Sequence, residues 1–221
     1  MSSNASSDPS EPPEFGEIEI TLPLAPVSVQ AKKETRDALI EALRALTRPL
    51  KYLLTGDVTI DLFWHLHGDL RYESDTAPDI ENITKPLIDG LCGPEGLLVD
   101  DCQISAFGSE WVSWLRDDQQ VTLRIKYAPD HWIPKPILFV QIDKALCLPL
   151  EADLGRNEQR LMVELYKNAI AARQEFVNLG VDNFYSRAIL PVHRVFHRTR
   201  IHGFNVVDVS TLEDQIGTEA L

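Results

Sequence analysis

The chain has 221 residues, with 34 Asp plus Glu against 21 Lys plus Arg, a formal net charge of −13. Apolar residues make up 44% and aromatics 8%, enough for one sizeable core, so the length fits one domain with additions or two small ones. The acidity argues against generic, backbone-driven nucleic-acid binding, which needs Lys and Arg, but leaves room for a local basic surface or an acidic metal site.

In chain order, residues 1–15 (MSSNASSDPSEPPEF) are rich in Ser and Pro, carry acids and no base, and read as a disordered acidic tail. They hold neither the basic nor the apolar region of a signal peptide. Glu17–Leu22 alternates, with Ile18, Ile20 and Leu22 on one side, and predicts a strand ended by Pro23. Leu39, Ile40, Leu43 and Leu46 predict a helix over Lys33–Arg48. Asp57–Arg71 returns to period two, with Val58, Ile60, Leu62, Trp64 and Leu66 facing one way. Ile83–Leu91 reads as a short helix with Asn82 as N-cap, which puts Pro86 at its fourth position. Gly93, Pro94 and Gly96 make a turn before the short apolar Leu97–Val99. Gln103–Trp114 and Gln119–Tyr127 read as an antiparallel pair joined by Leu115–Asp118.

Beyond Tyr127, the prolines of Ala128–Pro136 predict a linker, Ile137–Ile142 a further strand, and Asp153–Leu179 a long amphipathic helix. Val181–Leu221 has no clear period. No stretch approaches the ~20 apolar residues of a membrane span. Cys92, Cys102 and Cys147 are an odd number in no motif, as expected of a reducing compartment. Residues 16–128 carry 19 acids and 11 bases, while Asn183–Val207 has no acid at all. That stretch holds Arg187, Arg194, Arg198 and Arg200, with Phe196 and Phe204 interleaved, a composition that suits nucleic acid. The competing reading is a basic face that pairs with the protein's own acids. His193-x3-His197, near His202, would set two imidazoles on one helix face, although a zinc site needs further ligands. His65 and His67 share the polar side of the long strand, and Trp64, Trp111 and Trp114 suit the core or a dimer contact.

The strongest chemical signal is Asp79, Glu81, Asp89, Asp100 and Asp101, which fall within 23 residues around Lys85. Mg²⁺ takes oxygen ligands, typically one or two carboxylates plus water and phosphate. Ions so held supply an attacking water and offset charge on a scissile phosphate, and a neighbouring Lys helps to position it. The same residues also fit a helix start that favours acids and an i, i+4, i+8 salt-bridged face through Glu81, Lys85 and Asp89.

The order of the run DIENITKPLIDGL…VDDCQI resembles the signature of the RusA-type Holliday junction resolvases. The matching positions are Asp79, Glu81, Asn82 and Lys85, then Asp89 and Leu91, then Asp100, Asp101, Gln103 and Ile104. The resemblance spans residues 16–129, leaving 130–221 as an extension of unknown role. It implies an α/β (α+β) domain, a small mixed sheet with two packing helices, and the extension reads as mostly helical. It also implies a Mg²⁺-dependent endonuclease (Mn²⁺ as a substitute) that acts as a homodimer on branched DNA such as a four-way junction. The setting would be cytoplasmic, prokaryotic or phage-encoded, without a membrane. Asp79, Glu81 and Asp101 become metal carboxylates joined by Asp100, Lys85 the catalytic lysine, and Asn82 and Asp89 supporting residues. Glu81 stands where the family has Asp, which motivates a second reading: a non-catalytic relative serving as a DNA-binding or assembly module.

Overall fold

The computed structural model describes residues 10–73, 79–182, 185–186, 189 and 193–216. The first half is built on a four-stranded sheet in the order β1-β5-β3-β4, from β1 (Glu17–Leu22), β3 (Val58–His67), β4 (Ile104–Trp114) and β5 (Gln120–Tyr127). Val58, Ile60, Leu62, Trp64 and Leu66 are all buried, as the alternation of β3 requires. Helices α1 (Lys33–Thr47) and α3 (Ile80–Leu91) cover that face with Leu39, Leu43, Ile83, Leu87 and Leu91. The two helices cross tightly at Gly90, where an added Cβ would lie 2.4 Å from Leu43 Cδ1. A short helix, α2 (Gly68–Tyr72), takes the end of the segment read as one long strand.

The strands read as a hairpin do not pair with each other. β4 runs parallel to β3 at the edge, and β5 lies antiparallel on the other side of β3. Parallel pairing is possible because residues 68–103, with α2 and α3, form the long crossover that such strands need.

Helix α3 starts earlier than its proline suggests. Asp79, not Asn82, is the N-cap, accepting from Glu81 N at 3.1 Å, so Pro86 lies inside the helix. Proline there removes the amide that would bond the carbonyl four residues back. That carbonyl, Asn82 O, instead accepts from Val29 N at 2.8 Å, tying the loop before α1 to α3.

The segment read as a linker contains β6 (Trp132–Pro134), paired antiparallel with β2 (Tyr52–Leu54). The extension combines sheet and helix: helical character holds for α4 (Arg156–Asn178) and α5 (Val209–Ile216), which cover a second sheet in the order β10-β7-β8-β9. Its strands are β7 (Ile137–Asp143), β8 (Leu146–Glu151), β9 (Phe196–His197) and β10 (Asn205–Asp208). The two halves share a core in which Leu53 and Val99 pack with Ile133, Phe139, Cys147, Phe196 and Ile201. The end of the expected tail is held as well: Pro12 is buried and Tyr127 Oη donates to Pro13 O. No helix among the described residues is long and apolar enough to cross a membrane.

Candidate active site

Helical spacing places Glu81, Lys85 and Asp89 along one face of α3. Lys85 Nζ reaches Asp89 at 2.5 Å and Asp101 at 2.9 Å, so the lysine staples α3 to the turn before β4. Burial works against the Lys85 charge, but the hydrogen bonds to both carboxylates outweigh it and raise its pKa. The same contact with Lys85 holds the Asp101 carboxyl below its usual range, with Asp100 and Arg200 contributing. Lys85 is therefore a fixed cation, not a base.

The turn carrying Asp100 and Asp101 is set by Gln103, which is wholly buried. Its Oε1 accepts from Val99 N (2.7 Å) and Asp100 N (3.2 Å). Its Nε2 donates to Leu54 O (3.0 Å) and Gly56 O (2.8 Å). Asp100 caps the one-turn 3-10 helix Asp101–Gln103 by accepting from Cys102 N at 3.0 Å. Gln103 belongs to the recognised run, yet its positioning role rests on partners 47 and 49 residues upstream that no local pattern reveals.

Arg200, from the extension, places Nη1 3.6 Å from Asp100 Oδ1 and 3.6 Å from Asp101 Oδ1. Two carboxylate oxygens thus face one cationic nitrogen. This is a donor pair that a hydrated divalent cation can take, with water and phosphate completing its shell. Asp79 and Glu81 are not brought into it. Asp79 is occupied by its capping bond and by Asn82 Nδ2 at 3.3 Å, and the exposed Glu81 carboxylate has no polar partner among the described residues. No three His, Cys, Asp or Glu side chains among the described residues converge in a metal-holding cluster. Burial pushes the Cys92 thiol up to about 12 and Cys102 up to about 11, so neither beside the acids is a thiolate.

Two arginines of the basic stretch pair with the protein's own acids. Arg194 pairs with Asp57 and Arg200 with Asp100 and Asp101, while Arg198 is exposed without an ion pair among the described residues. Arg187 lies outside the described residues. His193 and His197 do not share a helix face, because His197 is in β9. His193 Nδ1 lies 2.9 Å from Thr55 Oγ1, and burial, with His131 nearby, lowers its pKa. His65 sits away from the acids, 3.2 Å from Thr122 Oγ1 and edge-on to Trp114, and His67 accepts from Asp69 N at the start of α2.

The fold and site together define an α+β protein with a lysine-stapled, arginine-capped aspartate pair. No protein-family model matches this sequence, and no curated protein matches it.

Proposed function

We propose that this chain is a metal-dependent endonuclease that hydrolyses phosphodiesters in Holliday junctions or other branched DNA. The observation that carries the reading is the charge arrangement Lys85–Asp101–Asp100, held by Gln103, within a run that resembles the RusA-type resolvases. Asp100 and Asp101 are the residues that would hold Mg²⁺ or Mn²⁺. When bound, that ion lowers the pKa of an attacking water and offsets charge on the scissile phosphate. Lys85, kept protonated, donates to a phosphate oxygen and needs no proton transfer to do so. Asp89 orients the Lys85 ammonium from the next turn of α3. Asp79 and Asn82 build the helix start that aims Lys85 at the turn. A homodimer would offer two such sites to a two-fold substrate.

The test is cleavage of a synthetic four-way junction with Mg²⁺, against a linear duplex. Asp101→Asn should abolish cleavage and leave folding and junction binding intact. Cleavage surviving in purified Asp101→Asn sinks the proposal.

A second reading, a non-catalytic DNA-binding or assembly module, is favoured by one observation: Arg200 already neutralises the aspartate pair while Asp79 and Glu81 stay apart from it. Thermal melting during a Mn²⁺ titration separates the two, because a cation site gains stability with bound metal. A melting point that moves only with ionic strength favours the module.

A further inference from the structure

A cavity of about 340 Å³ lies where the two halves of the chain meet, bounded by Arg48, Leu50, Lys51, Pro94 and residues 135–137 and 203–205. Its walls divide by chemistry. Leu50, Pro94 and Phe204 form an apolar side, and Arg48, Lys51 and Lys135 a cationic one. Lys135 Nζ donates to Gly96 O at 2.8 Å, which fixes that ammonium in place. No neighbouring acid forms an ion pair with Lys51 or Lys135 among the described residues. Glu95 and Glu41 are both engaged by Arg48, at 2.9 and 3.1 Å. Lys51 is exposed and has no ion pair among the described residues. Two ammonium groups without an ion pair, one of them eased at longer range by Glu95, stand beside an aromatic face.

We propose that this cavity binds a nucleotide-sized organic phosphate, with the ring against Phe204 and Leu50 and the phosphate on Lys51 and Lys135. An apolar pocket of a few hundred Å³ with a few convergent polar groups is the usual form of a small-ligand site. A phosphate dianion matches two unpaired lysines better than a single carboxylate does. The state of Lys135 agrees: burial lowers its pKa to about 8, opposed by Glu95 and aided by Lys51, so an arriving anion would relieve the repulsion. None of Asp79, Glu81, Asp100 or Asp101 lines the cavity, and the proposal stands apart from the nuclease reading. It does bear on the same region. Gly203, at φ +82°, lies beside Pro94, where an added Cβ would make an ordinary van der Waals contact with Pro94 Cδ at 3.4 Å. The two turns it joins lead to Arg200 on one side and to Asp100 on the other.

The phosphate ester could be a free nucleotide or the 5′-phosphorylated end of a DNA strand. Calorimetric titrations of the full chain with dTMP, with inorganic phosphate, and with a short oligonucleotide with and without its 5′-phosphate distinguish these. Saturable dTMP binding, weakened roughly tenfold or more by Lys51→Met and by Lys135→Met, assigns a free nucleotide. Binding only of the phosphorylated oligonucleotide, with the same dependence on both lysines, assigns the strand end. Affinity should fall as pH rises through 8, where Lys135 loses its proton, and the binding heat near pH 8 should vary with buffer ionisation enthalpy as protons are taken up. Absence of saturable binding by either phosphate ester overturns the proposal. So does affinity unchanged in Lys51→Met, whose exposed side chain leaves folding unaffected. Inorganic phosphate binding as tightly as dTMP overturns the ring contact.

Discussion

Replacing Gln103 by Met keeps the side-chain length but removes four hydrogen bonds at once. The amide of Gln103 satisfies Val99 N, Asp100 N, Leu54 O and Gly56 O. Val99, Leu54 and Gly56 are buried, and Asp100 is half-buried. An orphaned buried group costs ~1–3 kcal/mol, so three such groups, partly relieved by relaxation, cost about 4 kcal/mol. That is a large share of the ~5–15 kcal/mol that stabilises a typical protein. At ~2–4 °C per kcal/mol for a chain of this size, the melting point should fall by about 8–16 °C. A thermal melt measures that shift and urea unfolding the free-energy loss, with the exposed Gln30→Met as a control expected within ~0.5 kcal/mol of wild type. A loss below ~1 kcal/mol in Gln103→Met would refute the reasoning, because it would mean that the turn is held by something other than this amide.

Three further outcomes are expected. Gly90→Ala should destabilise by ~1–3 kcal/mol in denaturant melts despite the better helix propensity of Ala, and combined with Leu43→Ala it should cost less than the two single losses added. Equal stability of Gly90→Ala and wild type would contradict the close helix crossing. Arg200→Gln removes a like charge beside the aspartate oxygens, so calorimetry should find Mn²⁺ binding roughly fivefold tighter; weaker or unchanged binding counts against a cation site there. Lys135→Met should stabilise the chain at pH 7 by ~1–2 kcal/mol. The sign follows from a folded pKa of about 8 against an ordinary 10.5. Below pH 8 the native state bears the whole cost of the buried ammonium. Wild type regains stability as pH rises from 8 to 10.5, so the advantage of the variant should close over that window in pH-dependent melts.

Much of the architecture is legible along the chain, and the run that holds Lys85, Asp89, Asp100 and Asp101 contains side chains that the fold brings together. Strand β1 occupies the expected residues, and the five inward residues of β3 are buried as their alternation demands. Both readings rest on local geometry, because a strand must turn successive side chains to opposite faces and a helix repeats every 3.6 residues. That periodicity assigns a face to each residue and leaves its partner open. It could not tell that β5 pairs with β3 and leaves β4 at the far edge, since hydrogen-bond partners across a sheet are chosen by long-range packing. It offers Asn82 as the N-cap, with Pro86 then at the fourth helical position, whereas Asp79 caps the helix and Val29 satisfies the carbonyl that Pro86 frees. Arg200 stands about a hundred residues from the acids it meets, and Gln103 almost fifty from the carbonyls it binds. The residue types and their spacing were therefore determined by the sequence alone. Which charges neutralise one another, and which are left to meet a ligand, was decided by tertiary contacts, because Coulomb and hydrogen-bond energies depend on distance in space and not on separation along the chain.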